Sequence, residues 1–309
     1  MPSQLPIVAV VGATATGKSD LGIALALALG GEIVNADASQ FYRGMDIGTA
    51  KLTVEERRGV PHHLLDVLDV RDEANVAAYQ RDARETIAQI RSRGTVPILV
   101  GGSGLYVRAA LDDLRIPPTD PGTRARWEAR LGEAGAAALH AQLVAADPAA
   151  AQQIPATNGR RIVRALEVIE LTGEPFSATL PKREFLEPAV MLGLRIDRPV
   201  LHERIGMRIE RMWRAGFLDE VRELDRHGLR EGRTASRAIG YAQALRQLDG
   251  ELAEGEAKAE TATLTRKFAR RQESWFGPDE RIRWLSYDAP DLLDRALAAV
   301  RTADTPSGA

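Results

Sequence analysis

The 309-residue chain has no cysteine, which excludes disulfide scaffolds, thiolate metal sites and cysteine nucleophiles. It also has no apolar run of membrane length. The longest, around Leu21 to Leu29, falls far short of the roughly 20 residues that a spanning helix needs. The opening MPSQLP lacks the basic stretch that begins a secretory signal. Neither sign of charge is in excess: 41 basic and 43 acidic residues leave a formal net charge of -2. That balance by itself gives no hint of a nucleic-acid partner, although a total hides local patches. A soluble, cytoplasmic protein is expected. With 44% hydrophobic residues the chain can bury a sizeable core, and its length suits one large domain or two smaller ones.

Hydrophobic patterning then supplies the architecture. Ile7 to Val11 is a β-branched run ending in Gly12, the pattern of a strand buried on both faces in a parallel sheet. An Ala/Leu-rich helix from Ser19 to Leu29 and a second strand, Glu32 to Asp37, complete a βαβ unit. Further strands are expected at His63 to Val67, Pro97 to Val100, Val190 to Ile196 and Ile282 to Leu285, with an amphipathic helix over Ala77 to Arg91. Strands alternating with helices predict an α/β fold, a phosphate-loop type of parallel sheet flanked by helices. From about 113 to 189 no strand is legible, and helices are expected over Thr123 to Ala146 and Asn158 to Thr172. This stretch reads as an all-helical insertion domain between core segments 1–112 and 190–309. The core then turns helical from Val200 to Arg226 and from Glu256 to Trp275, and the small polar tail Thr302 to Ala309 is expected to fray.

Gly12-Ala13-Thr14-Ala15-Thr16-Gly17-Lys18-Ser19 matches G-x-x-x-x-G-K-[ST] between a buried strand and a helix, the context that motif requires. The glycines let successive N–H groups turn inward, the helix N-terminus adds partial positive charge, Lys18 adds a full one, and the Ser19 hydroxyl can ligate Mg²⁺. Such a loop would hold a diphosphate, though the motif, familiar from ATP-binding proteins, leaves open which molecule carries it. Asp37 ends the second strand beside this loop, where open α/β sheets bind ligands, and its carboxylate can accept a proton or approach a metal. The polar, aromatic stretch Asp37 to Lys51 that follows is more than a linker, and nucleotide kinases have no need of it.

From here the sequence resembles the tRNA dimethylallyltransferases, also called tRNA isopentenyltransferases, in their compact bacterial form. After a loop like GATATGKS the family runs D-x-x-Q-x-Y-x-x-x-x-I-G-T-A-K, V-P-H-H-L-x-D, G-G-[ST]-x-L-Y, R-x-x-R-A-L-E, I-G-Y and R-R-Q-x-x-W-F. This chain carries each in order, at Asp37 to Lys51, Val60 to Asp66, Gly101 to Tyr106, Arg161 to Glu167, Ile239 to Tyr241 and Arg270 to Phe276. One loop is common, whereas the ordered set covers essentially the whole chain and is highly specific.

The resemblance implies transfer of a dimethylallyl group from dimethylallyl diphosphate to N6 of the adenosine just 3′ of the anticodon, in tRNAs that read codons beginning with U. It implies Asp37 as the base, with the phosphate loop and Mg²⁺ on the leaving diphosphate and no need for ATP hydrolysis. Ser103 would lie near the amine and Arg208 would handle diphosphate, with Arg204 a weaker second candidate. Base flipping is implied, with Asp37, Ala38, Ser39 and Gln40 against the extruded nucleotide and Gln40 able to pair with an adenine edge. Further tRNA contacts are implied at Arg124, at Arg160, Arg161, Ile162, Val163 and Arg164, and at Arg237, Gly240 and Tyr241. The basic residues Arg233, Arg266, Lys267, Arg270 and Arg271 suit the same partner, the anticodon stem-loop. Arg160 stands where many relatives have Gln, and Ala242 where many have Arg. The cysteine/histidine zinc extension of some relatives is absent. His62 and His63 read as structural, Trp275 as a core anchor, and the chain as a monomer. Two other enzymes, a small-molecule nucleotide kinase and an isopentenyltransferase acting on free adenylate, share the phosphate loop. An RNA-binding module with a vestigial loop is the non-catalytic alternative, against which the intact Lys18-Ser19 pair and Asp37 speak.

Overall fold

The computed structural model describes residues 6–179 and 183–303. It divides into two compact units, residues 1–111 with 185–309 and residues 112–184. In the first, β1 (Ile7–Gly12) leads through the phosphate loop into α1 (Lys18–Leu29), followed by β2 (Gly31–Asn35), the short β3 (His62–His63) and α2 (Val76–Ser92). Next come β4 (Val96–Gly101) and α3 (Gly104–Leu111). The second unit is helical, with α4 (Pro121–Ala146), α5 (Pro148–Gln153) and α6 (Gly159–Thr172). The chain then returns through β5 (Ala189–Arg195), α7 (Arg198–Arg214), α8 (Phe217–Arg226), α9 (Tyr241–Leu248), α10 (Glu254–Phe276), β6 (Ile282–Ser286) and α11 (Leu292–Ala303).

All strand pairings are parallel, in the order β3-β2-β4-β1-β5-β6. The central position of β1 explains its continuous β-branched run: Val10 faces Val100 on one side and Leu192 on the other, and Ile7 to Gly12 are all buried. One layer packs α1 and α11 against the sheet, with Leu21, Ile23, Leu25 and Val300 meeting Val8, Ile98 and Leu192. Another apolar cluster joins α7 to α10 and includes Tyr42, Met45, Ile205, Phe217 and Tyr241. The helical unit has its own core of Leu139, Leu143, Ile154, Ile162, Val163 and Leu166.

Three expectations are corrected. The third strand is only two residues long because Leu64 (φ 60) and Asp66 (φ 57) take left-handed backbone and turn the chain out of the sheet. The helix expected from Val200 to Arg226 is two, broken at Gly216, whose φ of 91 starts α8. The long insertion helix contains a non-helical residue, Gly135 (φ 80, ψ 164). The first unit extends into the segment before β5: Leu186 N–H donates to the Leu111 carbonyl and Ile7 N–H to that of Pro188. Of the tail expected to fray, Thr302 and Ala303 close α11, and 304–309 lie outside the described residues.

Candidate active site

Every strand of a parallel sheet ends on the same edge, so β1, β2 and β4 deliver their following loops to one place. After β1 the chain folds over itself. Thr16 Oγ1 donates to the Ala13 carbonyl at 2.9 Å, and Lys18 Nζ donates to the same oxygen at 2.6 Å. Gly17, at φ 94, is the N-cap of α1, a backbone that a side chain would strain. Two arginines one turn apart on α7 brace this loop: Arg204 Nε donates to the Ala15 carbonyl (2.8 Å) and Arg208 Nη1 to Thr14 Oγ1 (3.2 Å). Burial pushes the Lys18 ammonium down to about 8 despite the opposing pull of Asp37, and Arg208 adds to the lowering. Burial likewise lowers Arg208, again against Asp37.

Buried Asn35 shapes the end of β2. Its Oδ1 accepts the Asp37 N–H (2.9 Å), and its Nδ2 donates to the carbonyls of Asp37 (3.1 Å) and Leu64 (3.0 Å). Asp37 Oδ1 in turn accepts the Ser39 N–H at 3.0 Å, capping the short 3₁₀ turn Ala38–Phe41. The carboxylate is thereby aimed, since one oxygen is anchored on its own backbone turn. Gln40 Nε2 donates to the Thr49 carbonyl (3.2 Å), tying this turn to the I-G-T-A-K segment. That segment is itself pinned. Lys51 Nζ, buried, reaches Asp46 (2.6 Å), Asp66 (2.5 Å) and the Tyr42 carbonyl (2.9 Å).

Two cavities open onto the carboxyl edge and share four lining residues, Thr14, Asp37, Thr49 and Arg208. One, of about 240 Å³, is lined by the phosphate loop and carries Lys18, Arg204, Arg208 and Arg211 against the acids Asp20 and Asp37. The other, of about 300 Å³, is lined by Ser39 and Tyr241, by apolar groups including Ile205, Ile209 and Phe268, and by Arg237 and Arg271. A cationic chamber therefore meets a mixed chamber at a waist that contains a carboxylate.

The structure brings Asp37, Arg208, Lys18 and Ser19 together around the phosphate-side cavity, as it does Thr14, Ala15 and Gly17 of the loop; Ala13 is buried beneath it. Gln40 lines this cavity, whereas Ser39 lines the other. Ser103 lines neither. It follows β4, and its carbonyl accepts the Val107 N–H at the start of α3. Tyr241 lines the mixed cavity while its side chain is fully buried and its hydroxyl donates to Glu220.

In the helical unit the residues of the implied tRNA contact fall in different environments. Ile162 and Val163 are buried in its core. Arg124 and Arg164 are both committed to the buried Glu167 carboxylate, and Arg164 also to the carbonyls of Pro117 and Pro118. Burial raises the Glu167 pKa, but hydrogen bonds from Arg124, Thr119 and Arg164 more than offset it and hold the group at about 2. Arg160 and Arg161 are exposed on α6. Of the pair His62-His63, His62 Nδ1 contacts the Val60 carbonyl and the residue also lines the phosphate-side cavity, while His63 Nε2 lies 2.6 Å from Glu32. Trp275 is not a core anchor. It is 45% exposed and lies over Gly104, while Phe276 is buried.

Sequence reasoning missed three residues. Arg211 lines the phosphate-side cavity from α7 but belongs to no motif, although its spacing from Arg204 and Arg208 (i, i+4, i+7) was a usable signal. Glu220 and Gln272 hold backbone rather than ligand. Gln272 stands inside the quoted R-R-Q motif, and Glu220 has no local mark.

A strand, a glycine-bounded loop and a helix N-terminus facing a cationic cavity define a phosphate-loop α/β protein, here with a carboxylate among the residues that line the cavity. Comparison with known proteins narrows the class. The family described as IPP transferase matches residues 40–279, and the chain belongs to it. The tRNA dimethylallyltransferase of Thermobifida fusca is 64% identical over 299 residues, covering 95% of this chain and 94% of that protein. That of Kineococcus radiotolerans is 59% identical, covering 99% of both. Among solved structures, the tRNA isopentenylpyrophosphate transferase of Bacillus halodurans superimposes with a TM-score of 0.70 at 38% identity, over 96% of this chain and 95% of that one. A eukaryotic dimethylallyltransferase described as acting on tRNA gives a TM-score of 0.81 at 26% identity, over 95% of this chain and 76% of that one.

Proposed function

We propose that this protein transfers a dimethylallyl group from dimethylallyl diphosphate to N6 of the adenosine 3′-adjacent to the anticodon, in tRNAs that read codons beginning with U, forming N6-isopentenyladenosine. The observation that carries the reading is the shared waist: Thr14, Asp37, Thr49 and Arg208 line both a cationic and a mixed cavity. Diphosphate suits the first, among the loop N–H groups, Lys18 and the α7 arginines. An adenosine extruded from the anticodon loop suits the second, with Arg237 and Arg271 beside it for the RNA backbone. At the waist the bond from C1 to the diphosphate oxygen breaks, its electron pair leaving with diphosphate, while N6 bonds to C1. The N6 lone pair is delocalised into the purine, so removal of its proton by the Asp37 carboxylate assists the step. Lys18 and Arg208 face the charge that develops on the leaving oxygen.

Magnesium fits the residues present. Ser19 offers a hard oxygen to the phosphate-side cavity, which the Asp20 and Asp37 carboxylates also line. That pattern suits an ion that keeps waters and takes its other ligands from substrate phosphate. When bound, Mg²⁺ would neutralise diphosphate charge. No described helix is long and apolar enough to cross a membrane. A tRNA acceptor accords with action in the cytoplasm.

The test is to incubate the protein with Mg²⁺, labelled dimethylallyl diphosphate and either an anticodon stem-loop with adenosine 3′ of the anticodon or free AMP. Label in the stem-loop alone supports the proposal. Label in AMP favours a free-adenylate transferase, and label in neither overturns both.

A further inference from the structure

We infer that Gln272 is a positioning residue that staples the apex of the phosphate loop to the turn after β4, and through Thr14 sets the Arg208 guanidinium at the waist of the site. The inference rests on the proposed transfer reaction. Gln272 belongs to α10 and is 5% exposed. Its Oε1 accepts the Thr14 N–H at 2.8 Å, and its Nε2 donates to the Gly102 carbonyl at 2.9 Å. β1 and β4 are neighbours in the sheet, so their following loops lie side by side with nothing in the ladder to fix them beyond Val11 and Gly101. One side-chain amide, arriving from 258 residues away from Thr14, does so.

The chemistry of the two ends selects glutamine. One backbone donor and one backbone acceptor must both be met, and a carboxamide is the side chain that offers an acceptor and a donor on one planar group. A carboxylate would meet the Thr14 N–H but set a negative oxygen against the Gly102 carbonyl. An apolar side chain would leave the buried Gly102 carbonyl and the part-buried Thr14 N–H unpaired. Gly102 is matched to this contact, for a Cβ there would come within 2.2 Å of Gln272 Nε2.

The consequence falls on Thr14. Its N–H is taken by Gln272 and its hydroxyl oxygen by Arg208 (3.2 Å), so the loop apex is a braced hub rather than a ligand donor. Diphosphate is left to the N–H groups that follow it, to Lys18 and to the other α7 arginines of the cavity, Arg204 and Arg211, neither of which bonds to Thr14. Loss of the staple should therefore disturb the placement of Arg208 relative to Asp37 more than the capacity to hold diphosphate.

The experiment compares wild type with Gln272→Leu, Gln272→Glu and Gly102→Ala, measuring kcat and KM for dimethylallyl diphosphate, binding of inorganic pyrophosphate, thermal unfolding, and hydrogen exchange of the Thr14 amide. Expected for Gln272→Leu is a kcat lower by about 10- to 100-fold, with pyrophosphate affinity within about 3-fold, the size of effect that a misplaced group rather than a lost ligand contact gives. Gly102→Ala, which pushes the amide away without altering it, should reproduce this. Gln272→Glu should recover relative to wild type as pH falls, because the protonated carboxyl regains a donor for Gly102. Unchanged kcat in Gln272→Leu, loss of pyrophosphate affinity in step with kcat, or a Gln272→Glu ratio flat with pH would each overturn the inference. If wild type transfers no prenyl group the functional reading fails instead, and the staple is judged by Thr14 exchange, which must quicken in Gln272→Leu.

Discussion

The hydroxyl of Tyr241 donates to Glu220 Oε1 at 2.7 Å, and the same carboxylate accepts the backbone N–H groups of Asp46 (3.1 Å), Ile47 (2.6 Å) and Gly48 (3.2 Å). A single side chain of α8 therefore holds the turn that leads into Thr49, a residue of the waist. Burial, and then the Glu220 charge, raise the Tyr241 phenol well above its usual value, so it remains a donor throughout the working range. Tyr241→Phe keeps the ring, which meets Phe217 edge-on at 5.1 Å, and removes only the donor. It should cost about 2 kcal/mol, as for a hydrogen bond to a charged group, with activity reduced a few-fold. Glu220→Gln should cost more, since its NH₂ would face a row of N–H donors. Thermal unfolding of the two variants gives the order, and the reverse order would contradict the role assigned to the carboxylate.

Asp37→Asn retains an oxygen for the Ser39 N–H while abolishing the proton acceptor. Turnover should fall by about 10²- to 10⁴-fold, the usual weight of a general base, with stem-loop affinity within a few-fold. Single-turnover transfer alongside RNA binding measures both. Near-normal turnover would remove Asp37 from the mechanism.

Diphosphate affinity should decline as pH rises past about 8. Burial, foremost, and Arg208 depress Lys18 to about 8, whereas an unfolded chain keeps its lysine charged to about 10.5. An anion bound there favours the ammonium, so binding takes up a proton above pH 8 and weakens. The same shift acts on folding: between 8 and 10.5 the unfolded state binds more protons, so the Lys18 penalty is full below 8 and is relieved as pH rises. Calorimetry with pyrophosphate on wild type and Lys18→Arg separates this from titration of pyrophosphate itself, because arginine stays charged. Parallel profiles for the two proteins would argue against it.

Glu167 makes the helical unit acid-sensitive. Its folded pKa of about 2 lies below the ordinary 4.5, so the stabilisation is full above 4.5 and is lost as pH falls towards 2. Glu167→Gln at neutral pH should cost on the order of 3 kcal/mol by leaving Arg124 and Arg164 without their buried counter-charge. Hydrogen exchange in α4 and α6 should quicken in the variant and, in wild type, on acidification. Unchanged exchange would show the triad to be dispensable.

Much of this was legible in the amino-acid sequence because the relevant signals are local. A β-branched run ending in glycine, G-x-x-x-x-G-K-S and a following Ala/Leu helix specify strand, cradle and helix within about thirty residues. Asp37 was found for the same reason, two residues past the end of the next strand. The basic residues were harder. Sequence shows that Arg124, Arg164 and Arg208 are cationic, but whether each faces solvent, ligand or a partner depends on neighbours far along the chain. Glu167, 43 residues from Arg124, takes the first two, and Thr14, 194 residues from Arg208, takes the third.

The sequence by itself thus determined the parallel α/β fold, the phosphate loop, the strand-end carboxylate and the family. Periodicity and short motifs act through hydrogen bonds and packing between near neighbours, so they can be read in one dimension. Only the tertiary structure decided that two cavities share one waist, that Tyr241, Ile162 and Val163 are interior, and that Trp275 is not. It alone showed Glu220 and Gln272 holding the backbone of loops that other segments supply. These are contacts across 21 to 258 residues, set by which strands neighbour which and by the need to satisfy every buried polar group.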